Sequence, residues 1–166
     1  MLAYYRTDTY AALVIHLIVK HKREIVLMGA TTMGRDLAGA IATDLHTGLT
    51  ADCTGLAIDP ATRNLMQTRP AFGGNIMATI VTRKHRPQMA TVRHRVFEMP
   101  VADPRRQGQV IAVKAALSPE QITTQVVDFI LERDEVNLAD ARVIVAGGHG
   151  VRGPEGACFG RAGSAP

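Results

Sequence analysis

Aromatic residues, cysteine and serine are all scarce in this sequence. The chain has no tryptophan and only 4% aromatic residues, which leaves little from which to build the stacking platforms that bind single-stranded nucleic acid. Its two cysteines, Cys53 and Cys158, lie far apart in unlike contexts, which excludes a disulfide framework and a zinc site of the CxxC type. The serines are Ser118 and Ser164, and neither lies in the Gly-x-Ser-x-Gly motif of acyl-transfer hydrolases. These absences favour a reducing compartment.

Long apolar runs and metal-binding motifs are missing too. The longest apolar run, residues 11–19, is interrupted by His16 and has about half of the roughly 20 residues that a membrane helix needs. The first eight residues lack the basic and then apolar regions of a secretory signal. The six histidines show neither an HExxH motif nor an i, i+4 pair, so no metal site is expected. We predict a cytoplasmic protein without membrane insertion.

The composition that remains is that of a globular protein. Hydrophobic residues make up 46% and charged residues 20% of the 166 positions, and the length suits about one domain. The net charge is +4, and much of the excess lies in residues 82–86 and 93–95. Solvated loops are the favoured interpretation of these two runs. A patch for nucleic acid or an acidic partner is the alternative, although no helix presents a basic stripe.

The order of apolar patterns predicts an α/β fold. Thr9 is placed to cap a helix that continues through His21, a short apolar strand follows at residues 24–28, and a second helix spans residues 35–46. The succession of strand, glycine turn and helix indicates a parallel sheet. Because the apolar run at residues 24–28 is continuous, we predict that this strand is covered on both faces. Further strands are predicted at residues 49–58, 65–69, 76–81, 89–92, 110–115, 126–131 and 142–146, with a helical turn at residues 138–141.

Glycines open and close residues 29–34, the spacing of a phosphate-binding P-loop. Arg35 and Asp36 stand where a P-loop has Lys and Ser or Thr, and Asp36 would repel a phosphate. We therefore predict a structural turn between strand and helix, with Thr31 or Thr32 as the helix cap and Asp36 favoured in the first helical turn.

Two other features have a plain structural interpretation, and a third has two possible interpretations. Residues 148–153 match the GxGxxG dinucleotide fingerprint, but Pro154 follows where a helix should begin, which favours a flexible turn. Cys53 lies in an apolar strand, which predicts a buried and inert thiol. Residues 67–79 combine an arginine, two adjacent glycines and an asparagine between two strands, and a structural role and an interface both remain open.

Several long blocks, in order along the chain, resemble the alpha subunit of electron transfer flavoprotein, the family that includes the FixB-type subunits. The resemblance covers about Thr9 to Glu155. Its blocks are GATTMGRDL (29–37), TGLTADCTG (47–55), QTRPAFGGNIMATI (67–80), RPQMATVR (86–93) and LADARVIVAGG (138–148).

The resemblance implies an electron carrier subunit and not an enzyme. Members of this family form an alpha/beta heterodimer with one FAD. They take electrons from acyl-CoA dehydrogenases or related flavin enzymes and pass them to a quinone oxidoreductase. The alpha subunit is implied to have an N-terminal domain of the adenine-nucleotide-hydrolase-like (Rossmann-like) type that packs on the beta subunit. A second domain holds most of the FAD contacts.

Departures from the family pattern suggest a chain truncated at both ends. Residues 1–141 are expected to form the N-terminal domain without its first strands, residues 142–156 the start of the FAD-binding domain, and residues 157–166 a divergent, disordered tail. His149 stands at the position of the family's flavin-contacting arginine and is the candidate cofactor-binding residue. The alternative is a non-redox remnant or interaction module that binds a beta-like subunit without flavin.

Overall fold

The computed structural model of the chain describes residues 4–113, 117, 122–128, 130 and 143–151. The chain divides into two units, Met1–Val127 and Asp128–Pro166, which are described separately. Of the sequence predictions, the helical turn at residues 138–141 and the tail at residues 157–166 lie outside the described residues. The domain boundaries given above stay a prediction.

Among its described residues, the first unit has two α-helices and two three-stranded sheets. Helices α1 (Thr7–His21) and α2 (Thr32–Asp44) flank β1 (Ile25–Gly29) in the chain. The strands that follow are β2 (Leu49–Cys53), β3 (Gly55–Ile58), β4 (Leu65–Ala71), β5 (Ile76–Ile80) and β6 (Gln88–Val92). Strand β6 lies between β1 and β2 and is parallel to both, whereas β4 lies between β3 and β5 and is antiparallel to both. The predicted α/β class with a parallel sheet and additional strands is confirmed.

The core lies between the two helices and one face of the parallel sheet. Its buried members are Ala11, Ile18, Ile41, Ala42 and Met89. These come from α1, α2 and the central strand β6, so the cluster joins the helical layer to the middle of the sheet. Burial of this apolar surface is the main force that holds the two layers together.

Helix α1 begins earlier than the sequence predicts. The N-cap is Arg6, whose side chain makes no capping hydrogen bond, and Thr9 lies within the first turn of the helix. The Thr9 hydroxyl donates to the Arg6 carbonyl oxygen (3.1 Å), so it satisfies an acceptor and does not cap an N–H group. At the other end Lys22 adopts a left-handed conformation with φ of 49° and ends the helix.

The prediction that β1 is covered on both faces is wrong. Val26 and Met28 pack against the core cluster, but Leu27, on the opposite face, is 50% exposed. Helix α2 contacts the sheet on the face that carries Val26. A continuous apolar run in the sequence does not show whether a second layer covers the other face of the strand.

Residues 49–58 form two strands in different sheets and not one strand. The parallel ladder shifts register between Thr50 and Cys53, and Asp52 takes a left-handed φ of 62°. The bulge turns the chain out of the parallel sheet, so that β3 pairs with β4 instead.

Three other predicted strands are not strands where the structure describes them. The described parts of these predicted strands, residues 110–113, 126–128, 130 and 143–146, are irregular. Val110 and Val127 are 97% and 94% exposed, so their side chains do not pack on the sheets of the first unit. Residues with a preference for strands need a partner strand and a covered face, and sequence preference alone supplies neither.

Candidate functional site

The carboxyl end of the parallel sheet carries a cluster of charged side chains. Asp52 lies near the end of β2, and Arg93 directly follows β6. The Arg93 guanidinium donates to Asp52 Oδ2 from Nη2 (2.6 Å) and from Nε (3.2 Å), and Arg35 Nη2 lies 3.4 Å from Asp52 Oδ1. Ligands of open α/β sheets bind beyond this end of the strands, so the cluster is a candidate functional site.

The bulge in β2 sets the position of the Asp52 carboxylate. Where the register shifts, the Asp52 backbone N–H donates to the hydroxyl of buried Thr91 on β6 (2.9 Å) and not to a backbone carbonyl. Bulges of this kind redirect a side chain at the end of a strand. Arg35, in the second turn of α2, reaches the same carboxylate from the helix.

The electrostatics of the cluster favour the ionised carboxylate. The hydrogen bond from Arg93 is the largest cause that holds the pKa of Asp52 below its usual range, with smaller contributions from the charges of Arg35 and Arg69. The same hydrogen bond raises the pKa of Arg93. Two guanidinium groups contact the Asp52 carboxylate and the charge of a third acts on it, so positive groups outnumber the negative one in this cluster at the edge of the sheet. Such an edge suits contact with carboxylate or phosphate groups.

The pH dependence of stability tests the Asp52 contacts. Because the folded pKa of Asp52 lies below its unfolded value of about 3.9, its contribution to stability is complete above that pH and is lost as the pH falls through the folded pKa. We expect Asp52→Asn to be less stable than the parent in urea denaturation at neutral pH, and the difference to shrink in acid. Asp44→Asn, an exposed change at the end of α2, is the control. A difference that stays constant with pH would contradict the assignment.

Buried amides join the two sheets at the opposite end of β6. The Gln88 side chain is 1% exposed and donates from Nε2 to the Thr82 carbonyl (2.6 Å) and to Asn64 Oδ1 (3.2 Å). Its Oε1 accepts from the backbone N–H of Leu65 at the start of β4 (2.9 Å). Arg86 also donates to Asn64 Oδ1 (2.8 Å). The loop before β6 is thereby fixed against the antiparallel sheet.

The two basic runs are therefore more than solvated loops. Arg93 pairs with Asp52 of β2, and Arg86 donates to Asn64, the residue before β4. Arg83, Lys84 and His94, in the same two runs, are exposed, which agrees with the loop interpretation for those positions.

Residues 29–34 form the structural turn that the sequence predicts. The Thr31 hydroxyl accepts from the Gly34 backbone N–H (3.0 Å), which makes Thr31 the N-cap of α2. Asp36 lies beyond the first turn, contrary to expectation, and accepts hydrogen bonds from the hydroxyls of Tyr5 and Thr7 (2.6 Å each). These bonds lower the pKa of Asp36 and tie the segment before α1 to α2.

Cys53 is buried, as predicted. Its thiol has no exposed surface and donates to the Thr50 carbonyl oxygen (3.6 Å). Burial raises the pKa of the thiol, which suits an inert side chain and not a nucleophile. Across the described ranges, no group of three His, Cys, Asp or Glu side chains is arranged to hold a metal ion.

His149 lies in the second unit, at the start of a short 3₁₀ turn (His149–Val151). Residues 143–150 are all exposed, and a Cβ added to Gly148 or Gly150 would meet no atom within 4 Å. Cofactor sites enclose most of the surface of their ligand. The described residues around His149 therefore do not by themselves fit a flavin. The assignment of His149 to cofactor binding stays a prediction.

The Asp52 cluster is the feature that the sequence reasoning missed. The sequence predicts a solvated loop at Arg93 and a strand at Asp52, and neither prediction brings the two residues together. The sequence does contain one signal for this cluster, because Arg93 directly follows a predicted strand. Polar residues at the carboxyl ends of parallel strands tend to meet at one edge of the sheet. Asp52 and Arg93 meet because β2 and β6 are neighbours in the sheet, which the order of strands along the chain does not show.

The segment of residues 67–79 contains most of β4, a 3₁₀ turn (Phe72–Gly74) and most of β5. Gly73 and Gly74 have positive φ angles of 70° and 94°, which explains the paired glycines. Phe72 also has a positive φ of 48°, and its side chain is 82% exposed. The glycines thus have a structural reason, whereas the exposed phenylalanine is typical of a surface that contacts another molecule.

Comparison with known proteins agrees with the resemblance in the sequence. Residues 1–118 match the electron transfer flavoprotein domain family. The chain is 48% identical over 157 residues to the electron transfer flavoprotein subunit alpha of Thermoanaerobacterium thermosaccharolyticum, with 94% of this chain and 47% of that protein covered. It is 46% identical over 157 residues to the protein FixB of Azorhizobium caulinodans, with 93% and 42% covered.

A third relative gives the same result. The electron transfer flavoprotein subunit alpha of Clostridium acetobutylicum is 48% identical over 158 residues, with 93% of this chain and 47% of the relative covered. The chain thus spans less than half the length of these curated relatives. Within the described residues, no helix has the length and apolar character needed to cross a membrane. Since the family match covers residues 1–118 of 166, the chain belongs to the electron transfer flavoprotein domain family, in which its relatives are alpha subunits and FixB proteins.

Proposed function

We propose that this chain acts in the cytoplasm as the alpha-type subunit of an electron transfer flavoprotein and binds a beta subunit through its first unit. The complex would carry electrons on FAD from acyl-CoA dehydrogenases or similar flavin enzymes to a quinone oxidoreductase. The observation that supports this most strongly is the family match over residues 1–118, which spans both sheets and both helices of the fold.

The flavin supplies the redox chemistry when it is bound, and the protein supplies binding, orientation and electrostatics. The described residues around His149 do not enclose a ligand of that size. In the proposed complex the flavin contacts therefore lie mainly outside the described part of this chain. We expect the isolated chain to bind FAD weakly or not at all.

Co-expression with a beta subunit from the same genome tests the proposal. We expect the two chains to copurify as a stable complex. A complex with a flavin absorption spectrum that an acyl-CoA dehydrogenase plus its substrate can bleach would support the electron carrier. The isolated chain, purified in parallel, is the control and should be colourless. If the two chains do not associate at all, the proposal fails.

A second function is favoured by the exposed surroundings of His149. The chain would then be an interaction module that binds a beta-like subunit without flavin. This second function predicts a complex with the same ratio of the two chains as in the electron carrier, but one that stays colourless even after incubation with excess FAD. The two functions differ in this one readout, since both require that the subunits associate.

A further inference from the structure

Two consecutive threonines, Thr123 and Thr124, are hydrogen-bonded to the start of α1. The Thr123 hydroxyl donates to Asp8 Oδ2 in the first turn of the helix (2.8 Å). Arg6, the N-cap residue, donates from Nη1 to the backbone carbonyl oxygen of Thr124 (3.0 Å). These bonds join residues that are 115 and 118 positions apart in the chain. We refer to the four residues as the α1 clasp.

The burial of neighbouring residues shows that the chain docks only at the clasp. Ile122 and Val126 are half-buried, whereas residues 123–125 between them are exposed. The next residue, Val127, is 94% exposed. The apolar residues on either side of the two threonines are therefore partly covered, and the chain is exposed again directly afterwards.

The part of the clasp on α1 is itself held by α2. Tyr5 and Thr7 alternate along the chain with Arg6 and Asp8, and both donate their hydroxyl groups to Asp36 on α2 (2.6 Å each). The segment at the start of α1 thus bonds to a second helix on one side and to the two threonines on the other. Residues that are fixed by a further set of hydrogen bonds hold their partners in a defined place.

The place of the clasp in the chain gives these bonds a consequence. The second unit begins at Asp128, four residues after Thr124. Four residues span at most about 14 Å. Among the described residues, the last helix or strand before the clasp is β6, which ends at Val92, 36 residues before Asp128. A flexible connection of that length has an end-to-end distance of roughly 30–36 Å.

We propose that the α1 clasp is a positioning device that fixes the point at which the chain enters its second unit. While the clasp is closed, Asp128 stays within about 14 Å of Thr124. When it opens, only the longer connection to β6 limits the position of Asp128. Both bonds lie at the surface, and closing a long connection costs conformational entropy, so the clasp opens and closes reversibly.

Distances between two spin labels test the clasp in the whole chain. One label is attached at Lys20→Cys, an exposed position in the last turn of α1, and the other at Gln125→Cys, an exposed position beside the clasp. The background is Cys158→Ser, and Cys53 is buried. Double electron–electron resonance should give a narrow distance distribution. Thr123→Val removes the donating hydroxyl and should broaden the distribution at least about twofold, toward the range of the released connection.

Thr124→Val is the matched control, the same substitution at the next residue. Thr124 takes part through its backbone carbonyl oxygen, so this variant keeps both bonds and should keep the narrow distribution of the parent. Thr123→Ser retains a hydroxyl and should do the same. Asp8→Ala should broaden the distribution as Thr123→Val does, and the two changes together should add little, because they remove one and the same hydrogen bond.

Two results would overturn the proposal. One is a Thr123→Val distribution no broader than that of Thr124→Val. The other is a parent distribution as broad as that of the variant that combines Asp8→Ala with Thr123→Val. The substituted clasp positions are exposed, and circular dichroism checks that each variant is folded. The measurement uses the chain without flavin or a beta subunit, so its outcome is independent of the proposed function.

Discussion

We expect Gly34→Ala to lower the free energy of unfolding by about 3 kcal/mol, the upper end of the usual range for overpacking. A Cβ at this position would lie 2.0 Å from the Gly29 carbonyl oxygen, a backbone atom at the end of β1. The turn between β1 and α2 could accept it only by opening, which would disturb the Thr31 cap. Urea denaturation followed by circular dichroism measures the effect.

Gly39→Ala is the matched control in the same helix. A Cβ there meets no atom within 4 Å, so alanine brings no steric conflict. Because glycine is a poor helix former, this change should raise stability by about 0.5 to 1 kcal/mol. Opposite signs for the two variants are the expected result. A Gly34→Ala variant as stable as the parent would contradict the close packing of Gly34 against the Gly29 carbonyl oxygen.

The second large effect concerns two buried glutamines whose surroundings differ. We expect Gln88→Leu to destabilise the protein by about 3 kcal/mol, since it removes three hydrogen bonds and leaves the Leu65 backbone N–H buried without an acceptor. The change also removes the connection between β6 and the loop at Asn64. The free energy of unfolding from urea denaturation is again the readout.

Gln67→Leu provides the contrast. Gln67 has no exposed surface, and neither its Nε2 nor its Oε1 has a hydrogen-bond partner among the described residues. Burial of an unsatisfied amide costs about 1 to 3 kcal/mol, so leucine of similar size should stabilise the protein by an amount in that range. A loss of stability in Gln67→Leu would show that this amide has a partner in solution, such as a bound water.

Local patterns in the sequence determined the helices, the first turn and the strands near the core. The glycine spacing of residues 29–34, together with Thr31, specifies the turn and its cap, because every group involved lies within six residues of the others. The burial of Cys53 also followed from its position inside a predicted strand. The family could be read from several ordered blocks, and the match over residues 1–118 agrees with it.

Tertiary structure alone decided how distant segments meet. Asp52 and Arg93 are 41 residues apart, and they pair because β2 and β6 are neighbours in the sheet. Likewise, the Gln88 side chain accepts a hydrogen bond from the Leu65 backbone N–H only because the start of β4 lies beside the start of β6. Strand order is set by which apolar faces can be buried together, which is a property of the whole chain. For the same reason, the strand pattern of residues 49–58 could not reveal the bulge that divides these residues between two sheets.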